Sequence, residues 1–364
     1  MQATARASGG TAEESTERPM ERSGAASMKA LIVNNLQSGL RDGSIFEFAR
    51  KLAQDGDELI VRSTDGHTPV ESLLAGAADC DLVVAAGGDG TIASVCYALR
   101  NTGIPILPFP AGTSNLMVTN LDQPEEPHAL AEMARSGRYL DFDLGEIDFE
   151  GAGEGETPEG SATVDDTDEG GAAAKGAGAR TVTKGFAVIS GAGYDATIME
   201  NADRLKERLG PNAYLAAALT NPTPTVAHFT IELDGQTVEL DGIAVLVLNF
   251  SKIYPDISIT HANDARDGLL EIAVLKPHSA VELLPAFFAA FLDRTGGFPH
   301  RADAVETFRA KCARITAEPP LSLQYDGEAP GGKTPFSARV LPAATRLIVT
   351  EHEYRRLTGS TEGR

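Results

Sequence analysis

Residues 82–91 read LVVAAGGDGT. An apolar run stops at Gly87 and Gly88, and Asp89, Gly90 and Thr91 follow. Glycines 87, 88 and 90 remove the Cβ atoms that would hold an anion away, and they admit positive φ, so backbone N–H groups can converge on a phosphate. Thr91 is placed to cap a helix starting at Ile92, whose N-terminus carries partial positive charge. Asp89 is the informative residue. A carboxylate beside phosphates is repulsive unless it holds a metal ion, a ribose hydroxyl or a transferable proton. The bland reading is a tight Gly-Asp-Gly turn with an exposed aspartate.

A second turn lies in ILPFPAGTSN, residues 106–115, where Gly112 and Thr113 lead through Ser114 to Asn115 ahead of a helical stretch. Two such turns at successive strand ends of one sheet would face each other across a single crevice, the place where open α/β sheets bind ligands. Far downstream, YDGE (325–328) offers a further carboxylate, Glu328, beside a glycine able to turn the chain. Alone, YDGE reads as an ordinary hairpin turn.

These residues need positioning elements. From Met28 the chain alternates: KALIVNN, ELIVRST, DLVVAAGG and IPILPFP read as strands, and SIFEFARKLAQ, PVESLLAGAA, TIASVCYALRN and Glu125–Ser136 as helices. That pattern predicts βαβ units and a parallel sheet covered on both faces. After Tyr139 the style changes. YLDFDLGEIDFE alternates like an exposed-edge strand, and FAVISGAGYDA, HFTIELDGQTVEL, GIAVLVLNF, LLEIAVL, ARITAE, LSLQYDGE and FSARVL follow with turn signals between them. LDGQ predicts a hairpin, and the set predicts an antiparallel sandwich. Helical interludes are expected at NADRLKERLGPNAYLAAAL and from Ala280 to Asp293.

Composition narrows the function classes. The 364 residues carry a formal net charge of −21, which argues against a nucleic-acid footprint and against simple docking on anionic lipid. Hydrophobic residues make up 42%, enough for more than one core. Cys80, Cys96 and Cys312 are scattered, and the seven histidines form no cluster, so neither a disulfide framework nor a His-based metal site is expected. Residues 1–27 lack an apolar core segment and read as a disordered extension. Residues 151–180, rich in Gly, Ala, Glu and Asp, read as a disordered acidic insertion in a hairpin. LLPAFFAAFL (283–292) is too short to span a bilayer, so no transmembrane segment is expected and the location is cytoplasmic.

With both turns and YDGE on the page, the sequence resembles the diacylglycerol kinase catalytic domain family, bacterial lipid kinases related to sphingosine kinases and NAD kinases. NNLQSG, GGDGT, GTSNLMVTNL, DFDLG, GAGYDA, LKERLGPNAYLAAAL, NFSK, DARDGLLEI and YDGE match family segments in order, from about Met28 to Thr350. The resemblance implies a nucleotide-binding α/β domain at 28–138 and a β-sandwich at 139–340, with 341–356 returning to pack on the first domain. It implies that Asn35, Ser38, Gly39, Thr64, Gly87, Gly88, Asp89, Gly90, Thr91, Gly112, Thr113 and Asn115 line an ATP site. It implies that Asp264, Asp267 and Leu269 hold Mg2+, partly through backbone oxygens, and that Glu328 is the catalytic base, with Asp89 organising nucleotide and metal. The acceptor would be a lipid at the membrane surface, reached by a protein peripheral to the inner membrane face. No nucleic-acid partner is implied, and a homodimer is allowed.

Departures accompany the likeness. Leu36 stands where the family usually has proline, Ala93 and Ser94 where it commonly has Glu or Asn, and Thr119 where it often has a phosphate-meeting arginine. Arg41 or Lys252 are candidate replacements. HSAVELLPAFFAAFLDRTGGF could line a lipid path with Phe287, Phe288 and Phe291, although a helix buried on the sandwich is the blander reading. The leading expectation is an ATP-dependent lipid kinase acting on a lipid such as diacylglycerol. The alternatives are a nucleotide- and lipid-binding protein that has lost catalysis, motivated by Thr119 and Ser94, and an NAD kinase-like enzyme.

Overall fold

The computed structural model describes residues 27–38, 43–65, 68–112, 114–151, 180–193, 224–254, 257–260, 264–276 and 305–359. The expected N-terminal extension, the body of the acidic insertion and the two helical interludes, with Phe287, Phe288 and Phe291, lie outside them.

Four parallel strands open the chain: β1 (Lys29–Asn35), β2 (Glu58–Thr64), β3 (Leu82–Gly87) and β4 (Pro105–Pro110), ordered β2-β1-β3-β4. Between and after them come α1 (Ser44–Leu52), α2 (Val70–Leu73), α3 (Asp89–Ala98), α4 (Leu116–Asn120) and α5 (Pro127–Ser136). The runs 30–33 of β1 and 82–86 of β3 are apolar because both faces are covered. Ile32, Val84 and Leu107 meet Phe48, Leu52 and Leu130 from α1 and α5, while Leu31, Val83 and Ile106 meet Ile92, Val95 and Met117 from α3 and α4. The helix expected over PVESLLAGAA is shorter: α2 stops at Leu73, and Gly76 at φ 76 turns the chain into a single 3-10 turn at Ala77–Asp79.

The remaining strands are β5 (Tyr139–Gly151), β6 (Arg180–Phe186), β7 (Ile189–Gly193), β8 (Ala227–Leu233), β9 (Gln236–Gly242), β10 (Ala244–Leu248), β11 (Lys252–Tyr254), β12 (Ile257–Ser258), β13 (Leu270–Leu275), β14 (Val305–Ala310), β15 (Cys312–Glu318), β16 (Leu323–Tyr325) and β17 (Phe336–Ile348), followed by α6 (Glu351–Thr358). An antiparallel sheet ordered β14-β13-β10-β7-β16 packs on the strands β5, β6, β8, β15 and β17 around a core that includes Phe186, Phe229, Ile315, Phe336, Val247 and Ile272. This is the expected α/β unit plus β-sandwich. The LDGQ hairpin forms, with Asp234 at φ 44 and Gly235 at φ 94 between β8 and β9.

One strand joins the halves. β17 pairs antiparallel with β5 from Phe336↔Phe149 to Ile348↔Tyr139, and its end runs parallel to β4 through Arg346↔Pro105 and Leu347↔Ile106. The sheet therefore continues from one unit into the other without an edge between them. Val349 N–H donates to Arg138 O at 3.0 Å, and Tyr354 and Leu357 of α6 pack on the α/β core.

β5 corrects one expectation. It is not an exposed edge, since β17 pairs with it from Tyr139 to Phe149 and β6 covers its other side from Gly145 to Gly151. Three of its acidic residues mimic a solvent face yet are answered within the fold. Asp141 accepts from Arg346 at 2.7 and 3.0 Å, Asp143 accepts from the Gly268 and Ala343 N–H groups at 2.7 Å each, and Glu146 is held by Tyr97 and Arg339. Gly151 pairs with Arg180, so the chain leaves and re-enters the sheet at one point around residues 152–179.

Candidate active site

α3 begins at Asp89, not at Ile92 as the cap reading of Thr91 supposed, and Gly88 is its N-cap. Thr91 is used differently. Its Oγ1 accepts from Asn35 Nδ2 at 2.8 Å, and a Cβ on Gly87 would stand 2.5 Å from the Thr91 Cβ. Ser38 Oγ accepts from Gly88 N–H at 3.2 Å. The loop after β1 therefore grips the glycine turn with the two polar residues singled out in NNLQSG. Buried Thr64 supports that loop through its carbonyl, which accepts from Leu36 N–H at 2.8 Å.

The two glycine turns touch. A Cβ on Gly112 would fall 2.4 Å from the Gly88 Cα, too close to exist. Gly88 sits at φ −80, and Gly87, Gly90 and Gly112 are likewise not among the glycines with positive φ. Glycine is required here for close approach rather than for left-handed backbone. Asn115, at φ 49, turns its Oδ1 back to accept Gly112 N–H at 2.9 Å. Gly39 and Thr113 lie outside the described residues.

Asp89 is not an exposed ornament of its turn. Its two oxygens accept the N–H groups of Leu116 at 3.0 Å and Met117 at 2.9 Å, so it caps α4 and laces the second turn to the first. Burial pushes its pKa above the ordinary carboxylate range, against the pull of those N–H bonds.

The third component comes from the sandwich. Tyr325 and Glu328 exchange backbone bonds of 3.0 and 2.8 Å around Asp326 at φ 40 and Gly327 at φ 90, the tight two-residue hairpin that Asp-Gly favours. Asp326 is buried, and its carboxylate accepts the N–H groups of Ala187, Val188 and Ile189 at 2.5, 2.9 and 2.9 Å. Burial drives its pKa up to about 7, with the nearby Asp89 charge adding to the shift and the N–H donors opposing it. Anchored in this way, the hairpin presents Glu328 as an exposed side chain whose Oε1 lies 2.8 Å from where a Cβ on Gly90 would be. Glu328 thus stands over the first turn of α3, beside the contact of Gly88 with Gly112. Asp326 was missed as a site residue. Its Asp-Gly turn signal was legible, but its three donors sit about 140 residues upstream.

Comparison with known proteins adds to this geometry. Residues 29–147 match the family described as the diacylglycerol kinase catalytic domain, and residues 187–349 match the YegS C-terminal NAD kinase beta sandwich-like domain. The chain thus matches a diacylglycerol kinase catalytic domain followed by a YegS-type C-terminal domain. A diacylglycerol kinase of Mycobacterium tuberculosis is 25% identical over 79% of this chain and 83% of its own. An uncharacterized protein of Synechocystis, sll0036, is 27% identical over 73% of this chain, which spans about half (54%) of that relative's length. A solved diacylglycerol kinase structure from Bacillus anthracis superposes with a TM-score of 0.64 over 89% of this chain and 98% of its own, at 20% identity, a likeness of fold.

The remaining family positions are placed as follows. Asp264, Asp267 and Leu269 share one turn ahead of β13. Asp264 accepts Arg266 N–H at 3.1 Å, and Asp267 accepts Leu269 N–H at 3.0 Å and pairs with Arg309. Their carboxylates are thus engaged within the protein, and no group of three or more His, Cys, Asp or Glu positioned for a metal ion occurs among the described residues. Of the candidate replacements for the missing arginine, Lys252 gives its ammonium to Asp122 at 2.8 Å, and its backbone is held by Asn120. Arg41 lies outside the described residues.

Proposed function

We propose that this chain is an ATP-dependent lipid kinase that moves the γ-phosphoryl group of ATP to the hydroxyl of a lipid such as diacylglycerol. One observation carries the reading: a sandwich carboxylate, Glu328, meets the N-terminal turn of α3 at Gly90, where the two glycine turns converge. The match to the diacylglycerol kinase catalytic domain model and the relatives named diacylglycerol kinase support a lipid as the acceptor.

In this mechanism the triphosphate lies against the α3 N-terminus, between the turns of Gly88 and Gly112, where the absence of side chains admits the phosphate oxygens. The acceptor hydroxyl approaches from the sandwich side. Glu328 takes its proton as the new O–P bond forms and the bond to the ADP oxygen breaks. In this mechanism Asp89 and Asp326 position rather than react, each tying the backbone N–H groups of a neighbouring segment to its turn. Magnesium would neutralise charge on the phosphates. At the turn of Asp264, Asp267 and Leu269 it would be held partly through backbone oxygens. Among the described residues no helix is long and apolar enough to cross a membrane, and the reading places the enzyme peripherally on the cytoplasmic face.

A second reading has one observation in its favour: Lys252, a candidate for the missing arginine, is occupied by Asp122. It is a protein that binds nucleotide and lipid without transfer. The test incubates purified protein with labelled ATP and a native lipid extract, with NAD in a parallel reaction, and identifies products by mass spectrometry. A phosphorylated lipid upholds the proposal. Nucleotide binding without labelled lipid favours the second reading, and labelled NADP overturns both.

A further inference from the structure

α3 carries the glycine turn at one end, and its other end is fastened to the sandwich by contacts that serve no nucleotide. Tyr97 OH donates to Glu146, a buried carboxylate of β5 whose other oxygen is taken by Arg339 of β17. The Tyr97 ring lies on Gly185 of β6 so closely that a Cβ there would fall 2.0 Å from the ring. Arg100 covers the ring with its guanidinium 4.1 Å from the centroid. Gly90 and Tyr97 are about 10 Å apart along the helix axis at the usual α-helical rise. The helix therefore meets the sandwich near both ends, at Glu328 and at Gly185 and Glu146, while Ile92, Val95 and Cys96 between them share a core with Ala187, Ile189 and Ala344.

Core packing of Ile92, Val95 and Cys96 holds α3 on its sheet, and polar contacts at both ends of the helix set its tilt finely against the sandwich. Asn35, Ser38 and Asp89 hold the glycine turn entirely within the α/β unit. They set the shape of the nucleotide cradle but not its distance to Glu328.

We infer that Tyr97, docked on Gly185 and hydrogen-bonded to Glu146, is a positioning residue that sets the carboxylate of Glu328 against the start of α3. The inference rests on the kinase reading above. It separates two quantities: nucleotide affinity belongs to the α/β turns, while the rate of proton removal depends on the second contact.

The test measures phosphate transfer from ATP to diacylglycerol in mixed micelles for the wild-type chain, Tyr97→Phe, Gly185→Ala, Glu328→Ala and the Tyr97→Phe/Glu328→Ala double variant. Each is first checked for cooperative thermal unfolding. Tyr97→Phe keeps the ring and removes only the hydroxyl, and its kcat is expected to fall roughly tenfold, in keeping with the cost of small misplacements remote from the chemistry. Its KM for ATP should stay within about twofold, because the cradle contacts are untouched. On the Glu328→Ala background the same change should cost nothing further, since it acts through the missing group. An unchanged kcat, a rise in KM alone, or the full loss repeated on the Glu328→Ala background overturns the inference. Hydrogen exchange at the Tyr325 and Glu328 amides supplies a readout independent of activity. Faster exchange in Tyr97→Phe is expected, and unaltered exchange overturns the role. Should the wild-type chain transfer no phosphate to lipid, the kinase reading fails while the exchange result still decides the positioning role.

Discussion

The turn after β3 and the hairpin after β16 are built alike and used differently. Each contains an Asp-Gly pair, and in each the aspartate is turned inward onto backbone N–H groups: two from α4 at Asp89, three from Ala187–Ile189 at Asp326. The first turn ends there, offering glycine backbone and a helix N-terminus. The second continues one residue further and presents Glu328 to solvent. The inward-turned carboxylates fasten the site together, and in the proposed mechanism the exposed one is left for chemistry.

That contrast can be broken at the reacting end first. Glu328→Ala should lower phosphate transfer by roughly 10²–10⁴-fold, the usual worth of a general base, with thermal stability almost unchanged because the side chain is exposed. Full activity in this variant, measured with labelled ATP, removes the base assignment.

Next comes the contact between the turns. Gly112→Ala drives a methyl group into Gly88 and should destabilise the chain by about 1–3 kcal/mol while abolishing measurable ATP binding. Retention of nucleotide affinity by calorimetry would show that the turns do not share one ligand.

Asp326→Asn sharpens the anchoring half of the comparison. It leaves at least one of three buried N–H donors without an acceptor and should cost about 1–3 kcal/mol. The sign of its pH effect is fixed by the raised pKa. The folded chain holds this proton more tightly than the unfolded one, so the contribution of Asp326 to stability is greatest below the ordinary carboxylate value of 3.8 and is lost as pH rises to about 7. Urea titrations across that window should show a falling trend in the parent chain that is flatter in Asp326→Asn.

The smallest effect is expected at Lys252→Met. Its pair with Asp122 is partly exposed and is worth about 0–1 kcal/mol. A loss of activity beyond about tenfold would instead show that Lys252 leaves Asp122 to meet the phosphates.

Much of this was readable from sequence, and the failures have physical causes. The parallel strands were visible because continuous apolar runs between helical stretches require two covered faces. The β5 strand was misread because alternating acidic residues look the same whether they face water or, as Asp141, Asp143 and Glu146 do, arginines and backbone donors brought from elsewhere. Thr91 looked like a cap because caps are a local pattern, yet its partner is Asn35, 56 residues away. The role of Asp326 was invisible for the same reason.

The order of side chains along the chain settled the elements, the glycine-lined turns and the hairpin that ends in Glu328, because strand periodicity, Cβ-free backbone and Asp-Gly turn preference act over a few neighbouring residues. Tertiary structure alone decided which carboxylate is spent and which is exposed, and that a sandwich residue stands over Gly90. Those outcomes depend on burial, on donors up to 139 positions away and, for Glu328 over Gly90, on β17 carrying the chain back alongside β4.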